Sequence, residues 1–183
     1  MRIALTVGHS RLRNGCYTSA DGKKYGGCNE YKWCKAFSKQ LKTQLKKKGY
    51  EVDRIVCPEL KFACSIQEKN YKLNRIRTGN YDLVIELHLN AAGPQAEGAE
   101  VLYLSADGKK YAASVQKQLS KVFRNRGIVK RDDLYMLNQT NPTAILIETF
   151  FCTSKSDYRK AKGLANRTRL AKSVAGGIAR ANH

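Results

Sequence analysis

The chain has 183 residues, 42% hydrophobic and 27% charged, values that exclude a disordered polymer and suffice for one domain with a real core. No apolar stretch approaches the roughly 20 residues that cross a bilayer. Lys and Arg number 34 against 15 Asp and Glu, a net charge of +19. Such an excess attracts polyanions (nucleic acid, anionic membrane or an anionic wall polymer) and says nothing about fold.

The first element is the apolar run Ile3-Ala4-Leu5-Thr6-Val7, which reads as a buried strand. It is too short for a signal-peptide core and meets Gly8-His9 without a small-residue cleavage site, so no export signal is expected. A loop over residues 10–27 precedes a helix over 29–48, whose apolar stripe is Cys34, Phe37, Leu41 and Leu45. Lys46, Lys47 and Lys48 suit the helix C-terminus, and Gly49 stops it. A second strand is predicted over 50–56 and a helix over 65–77, with Ile66, Leu73 and Ile76 as its apolar positions. Strands over 81–90 and 98–104 follow, then a helix over 110–126 using Ala113, Val115, Leu119, Val122 and Phe123. A short strand over 134–137, a last strand over 143–150 and a helix over 163–181 complete the pattern. Strands alternating with helices predict an α/β fold: one three-layer domain over residues 1–183, with a mostly parallel twisted sheet of about six strands flanked by helices. There is no linker or internal repeat. Cys16, Cys28, Cys34, Cys57, Cys64 and Cys152 show no C-x-x-C spacing and read as reduced thiols, although Cys28 and Cys152 stand near candidate site residues.

The candidate site rests on polar residues placed where apolar runs end. His9 closes the first run, His88 closes Leu83-Val84-Ile85-Glu86-Leu87, and Glu148 ends Ala144-Ile145-Leu146-Ile147. Ligands in open α/β sheets bind at the carboxyl ends of the strands, so these three side chains are expected at one site. A single histidine after a strand is more often a hydrogen-bonded structural residue, but two neutral imidazoles at one sheet edge are good donors to Zn2+. A carboxylate would complete a three-ligand set, and Glu30, in the first turn of the long helix, is the best placed. Favourable electrostatics at a helix N-terminus explains an acid there equally well. Glu148 must be paired, solvated in a cleft or protonated. Its chemical reading is a general base that takes a proton from water and returns it to a leaving amine. Glu86 lies two residues before His88, hence on the same strand face, where it can orient a ligand or compete for the roles of Glu30 and Glu148.

Taken together, Val7-Gly8-His9-Ser10, Gly27-Cys28-Asn29-Glu30, Ile85-Glu86-Leu87-His88-Leu89-Asn90-Ala91, Gly98-Ala99-Glu100-Val101-Leu102-Tyr103 and Ile145-Leu146-Ile147-Glu148-Thr149-Phe150-Phe151 resemble the zinc-dependent N-acetylmuramoyl-L-alanine amidases of the type-3 family, phage endolysin catalytic domains included. No one motif is specific, but order and spacing agree from Arg2 to the last helix. The resemblance implies one zinc ion on His9, Glu30 and His88, with Glu148 as catalytic acid/base. It implies cleavage of the amide between N-acetylmuramic acid and the L-alanine of the peptidoglycan stem peptide. Departures fall at Thr6-Val7-Gly8-His9-Ser10-Arg11, where the family often has Asp-x-Gly-His-Gly-Gly, at Glu86, where it often has Ser, and at Glu148-Thr149-Phe150-Phe151, where it often has Glu-x-Gly-Phe. They leave the metal and acid/base positions in place and bear on the shape of the substrate groove.

The resulting expectation is a monomeric lysin of one catalytic domain, made in the cytoplasm without a signal peptide and reaching the bacterial wall after release. It has no separate wall-binding domain, and its basic surface holds anionic wall polymers. Three rivals stand beside it: a zinc peptidase cutting a stem-peptide bond, a catalytically dead wall-binding module, and a nucleic-acid-binding protein. The last lacks a helix-turn-helix, zinc-finger spacing or an RNP-like aromatic strand, so nucleic acid is not expected as a partner.

Overall fold

The computed structural model, which describes residues 1–182, has six strands and six α-helices among those residues. The strands are β1 (Arg2–Val7), β2 (Glu51–Ile55), β3 (Leu83–Asn90), β4 (Ala99–Tyr103), β5 (Asn125–Lys130) and β6 (Thr143–Phe151). The helices are α1 (Glu30–Lys46), α2 (Ser65–Arg77), α3 (Ala106–Leu119), α4 (Tyr135–Asn138), α5 (Lys155–Ala161) and α6 (Leu164–Ala181). They form a single domain around one sheet of order β2-β1-β3-β6-β4-β5. β2, β1, β3 and β6 run parallel; β4 is antiparallel to β6, and β5 is parallel to β4. No helix among the described residues is long and apolar enough to cross a membrane.

Period-2 alternation divides the strands between two cores. Leu83, Ile85, Leu87 and Leu89 of β3, with Ile145 and Ile147 of β6, pack beneath α1, α3 and α6, whose contributions include Phe37, Leu41, Val115, Leu119, Leu170 and Val174. Val84, Ala144 and Leu146 point the other way, onto a smaller core with Ile76 of α2 and Met136 and Leu137 of α4. Along that second face β3 continues from Val84 into Glu86 and His88, so the apolar surface gives way to charge towards the strand ends.

Local signals account for α1. Asn29 caps it by accepting from the Lys32 N–H at 3.0 Å, and Gly49, at φ 85°, lets the chain leave through a bond from its N–H to the Lys46 carbonyl at 3.0 Å. Other expectations need correction. The helix over 110–126 starts earlier, at Ala106, where Ser105 accepts from the Gly108 N–H, and it ends at Leu119. Val122 and Phe123 continue its apolar spacing, but Phe123 belongs to the turn and stacks on Phe150, and the chain then enters β5. The predicted strand at 134–137 is the one-turn helix α4, which buries the consecutive residues Met136 and Leu137, as an alternating strand on a half-covered face would not. Six strands are therefore present, but β5 replaces one of the expected six. Ala112, not Ala113, faces the core, and Ile66 is 66% exposed. α5 has no counterpart among the expectations.

Candidate metal centre

β1 delivers the first histidine. Its last turn carries Gly8, whose N–H donates to the Leu87 carbonyl at 2.9 Å, and then His9 in the left-handed region at φ 64°. A side chain at Gly8 has no room, since a Cβ there would lie 2.2 Å from the His88 ring. The next residue, Ser10, donates its hydroxyl to Glu68 of α2, which also takes a bond from Thr18 Oγ1 at 3.0 Å, so the turn beyond His9 is held from α2.

Glu30 is delivered by a loop stitched to the end of β6. The Cys28 N–H donates to the Cys152 carbonyl at 3.0 Å, and a Cβ at Gly22 or Gly27 would come within 1.9 or 1.8 Å of that same carbonyl oxygen. Asn29 then caps α1, and Glu30 is its first residue. The Glu30 carboxylate is buried and accepts backbone N–H bonds from Ala20 and Leu89, each at 3.1 Å. Its Oε1 lies 2.9 Å from His88 Nδ1 and 3.3 Å from His9 Nε2, and the two imidazole rings meet edge-on with centroids 4.9 Å apart. One donor atom from each of His9, Glu30 and His88 falls within 4.8 Å of the others. Two imidazoles and one backbone-anchored carboxylate match the donor chemistry of zinc.

The electrostatics agree with that fit. Burial disfavours charge on Glu30, but hydrogen bonds with His88 and His9 hold its carboxyl well below the usual range. Burial likewise disfavours charge on His88, yet Glu86 and Glu30 outweigh it and raise the imidazole to about 10. Surroundings that favour a proton on this imidazole also favour a cation among these donors.

Glu86 does not join the cluster of donors. It is fully buried and ion-paired with Lys72 of α2 at 2.6 Å, with the Tyr135 hydroxyl at 3.4 Å and His88 Nε2 at 3.4 Å. Burial opposes its ionisation, but the Lys72 charge keeps it a carboxylate, placed to orient the His88 ring. Sequence reasoning misses Lys72. The available signal is Glu68, Lys72 and Ile76 at four-residue spacing, a buried helix face carrying two charges.

Glu148 is inside β6 rather than at its end, and is the direct register partner of His88 on β3 and of Glu100 on β4. His88 too lies within its strand, so only His9 stands beyond one. Glu148 Oε2 is buried without a hydrogen-bond partner among the described residues. Burial pushes its carboxyl up to about 7; Glu30, Glu100 and Glu86 add to the rise and His88 opposes it. It lines a cavity of about 300 Å3 together with Glu86, His88, Leu102, Arg131 and Tyr135. Cys28 and Cys152 are both buried, and burial raises the Cys152 thiol to about 12, so neither is an available thiolate.

Known proteins share the fold and parts of the sequence. The catalytic domain of CD27L endolysin targeting Clostridia Difficile is 47% identical in sequence and superposes with a TM-score of 0.92, covering 97% of this chain and 96% of that one. N-acetylmuramoyl-L-alanine amidase AmiC2 of Nostoc punctiforme shares the fold at 22% identity and a TM-score of 0.80, over 98% of this chain and 96% of that one. A probable autolysin of Staphylococcus aureus is 33% identical over 118 residues, 60% of this chain. The amidase LytC of Bacillus subtilis is 28% identical over 117 residues, also 60% of this chain. The matched stretch spans only 23% of each of these two longer proteins. The sequence matches the N-acetylmuramoyl-L-alanine amidase family over residues 3–180, nearly its whole length, and the chain belongs to that family.

Proposed function

We propose that this chain is a zinc-dependent peptidoglycan hydrolase cutting the amide between N-acetylmuramic acid and the L-alanine of the stem peptide. One observation carries the reading: a buried carboxylate with a free oxygen, Glu148, is register partner to one member of a His-Glu-His donor cluster. His9, Glu30 and His88 would hold the ion. When bound, zinc supplies Lewis acidity to the scissile carbonyl.

The protein's own groups carry the proton. Glu148, raised to about 7 by burial, is partly ionised at neutral pH and suited both to accept and to donate. As the carboxylate it takes a proton from the attacking water while that water's oxygen bonds to the carbonyl carbon. As the acid it gives the proton to the alanine nitrogen when the C–N bond breaks, which restores the carboxylate. Glu86, kept anionic by Lys72, accepts from the His88 ring and fixes its orientation. Leu102, Tyr135 and Arg131 form the cavity wall against which substrate would lie. The site is reached from the bacterial wall, where the chain acts after release as a monomer, and its cationic surface draws it to anionic wall polymers.

Metal analysis of the purified protein, paired with mass spectrometry of digested muropeptides, tests this. The expected result is one zinc per chain and free stem peptides bearing an L-alanine amino terminus. Peptides cut internally would establish a stem-peptide peptidase instead, and intact muropeptides with bound zinc a wall-binding module.

A further inference from the structure

The loop before α1, together with α1, α5 and α6, borders a second cavity, open to the surface and of about 400 Å3, separate from the residues of the metal centre. Its wall includes Lys23, Asn29, Lys32, Trp33, Tyr158 and Arg167, and among the described residues none of those lining it is acidic. Arg167 Nε is buried and has no hydrogen-bond partner among the described residues. Neither Arg167 nor Lys32 meets a carboxylate at ion-pair distance among those residues, whereas Lys23 leans on Asp21 at 3.3 Å. A buried guanidinium nitrogen without an acceptor is costly, and Arg167, half-buried as a whole, lines the cavity with no carboxylate to offset its charge, which an anion there would do.

The cations continue beyond the cavity. Lys32, Lys35, Lys39, Lys42 and Lys46 follow one another at steps of three and four residues, which lines them along one face of α1. Lys35 is paired with Glu59; Lys32, Lys39 and Lys46 are exposed. The track starts beside the metal centre, because Asn29 lines the cavity and Glu30 is the next residue. Trp33 in the cavity wall is stacked on Phe37 and met edge-on by Phe150, while Tyr158 lines the cavity and Tyr17 and Tyr31 lie beside Lys32 and Lys35.

We propose that this cavity binds the phosphodiester of an anionic polyol-phosphate wall polymer, with Arg167, Lys32 and Lys23 on phosphate oxygens and the α1 lysines carrying the polymer onward. Arg167 presents the planar fork that suits phosphate, and the two lysines act as point charges. The identity of the polymer rests on the wall-hydrolase reading above; the anion site itself does not. Bound there, the polymer would keep the metal centre against the wall.

Calorimetric titration with purified poly(glycerol phosphate), inorganic phosphate and oligothymidylate, over a range of salt, tests the site. Two charge-matched variants are compared: Lys23→Gln/Lys32→Gln/Arg167→Gln, and Lys109→Gln/Lys117→Gln/Lys121→Gln, whose three lysines are exposed elsewhere. The first should weaken polymer binding by about tenfold or more and lower the salt slope by about two, while the second changes affinity by no more than about twofold. The exposed single variant Lys32→Gln, which keeps the fold in reach if the triple does not express, should lower the slope by about one. Equal losses in both triples, or no polymer binding by the wild type, would overturn the proposal. So would inorganic phosphate or oligothymidylate binding the same residues as tightly as the polymer. Hydrolysis of a soluble, polymer-free muropeptide by the wild type, on the same preparation, separates the two readings. Hydrolysis without site-dependent binding removes only this inference, and the reverse removes only the catalytic assignment.

Discussion

The two faces of the sheet do different work. Beneath α1, α3 and α6 the central strands present an apolar surface, closed at Trp33, Phe37, Phe123 and Phe150 by stacked and edge-on rings. On the opposite face α2 and α4 pack on only part of the strands, and the remainder carries the buried Glu86 and the half-buried His88, Glu148 and Glu100. The same β3 and β6 build both, because alternate residues face opposite ways. Stability can therefore reside in Leu83, Ile85, Leu87, Ile145 and Ile147 while their neighbours in sequence are committed to a site. The polar face is not uniform. Its charges divide into those tied inward (Lys72 with Glu86) and one left without a partner at Glu148 Oε2.

Substitutions can break or sharpen this division. The largest effect is expected from His88→Ala, which should abolish zinc stoichiometry and turnover together. The loss of metal affinity should exceed the roughly 10–100-fold typical of removing a mere supporting partner. Retained zinc in that variant would end the ligand assignment. Glu148→Ala should lower kcat by about 100- to 10,000-fold with zinc content unchanged, since it removes a proton carrier and no ligand. Muropeptide turnover set beside metal analysis reads both quantities.

Lys72→Met tests where the division fails. It lies on the polar face yet should cost about 3–5 kcal/mol of folding stability, because Glu86 is left buried and unpaired. Adding Glu86→Leu should restore much of that stability by denaturant unfolding while leaving metal affinity impaired. Full recovery of affinity would show that Glu86 does not orient His88. The smallest effect is expected from Ile66→Ser on α2, within about 0.5 kcal/mol, because that side chain is 66% exposed despite its place in the apolar pattern.

What was legible in the sequence follows from how local each signal is. β1, α2 and the buried strands β3 and β6 announce themselves through short-range periodicity and end signals. The meeting of His9, Glu30 and His88 is readable because a histidine beyond a short strand, an acid opening a helix and a histidine in a central strand share one edge of a parallel sheet. β5 is hidden because Val122 and Phe123 keep the period of α3, and only tertiary stacking on Phe150 shows that they lie in a turn. α4 is hidden because a four-residue apolar run has no distinguishable period. The partner of Glu86 is hidden because Lys72 lies 14 residues away on a different element, and its four-residue spacing from Glu68 and Ile76 marks a buried face without saying what it meets.

Gly8 has a consequence for how the chain tolerates change. It donates no side-chain chemistry, yet the space a methyl group would need is taken by the His88 imidazole, 2.2 Å from where its Cβ would stand. In a saturation library scored for lysis, this position should behave as though it were a ligand, closed even to alanine. A graft of the two histidines onto another scaffold must therefore transplant an empty volume as well as two rings.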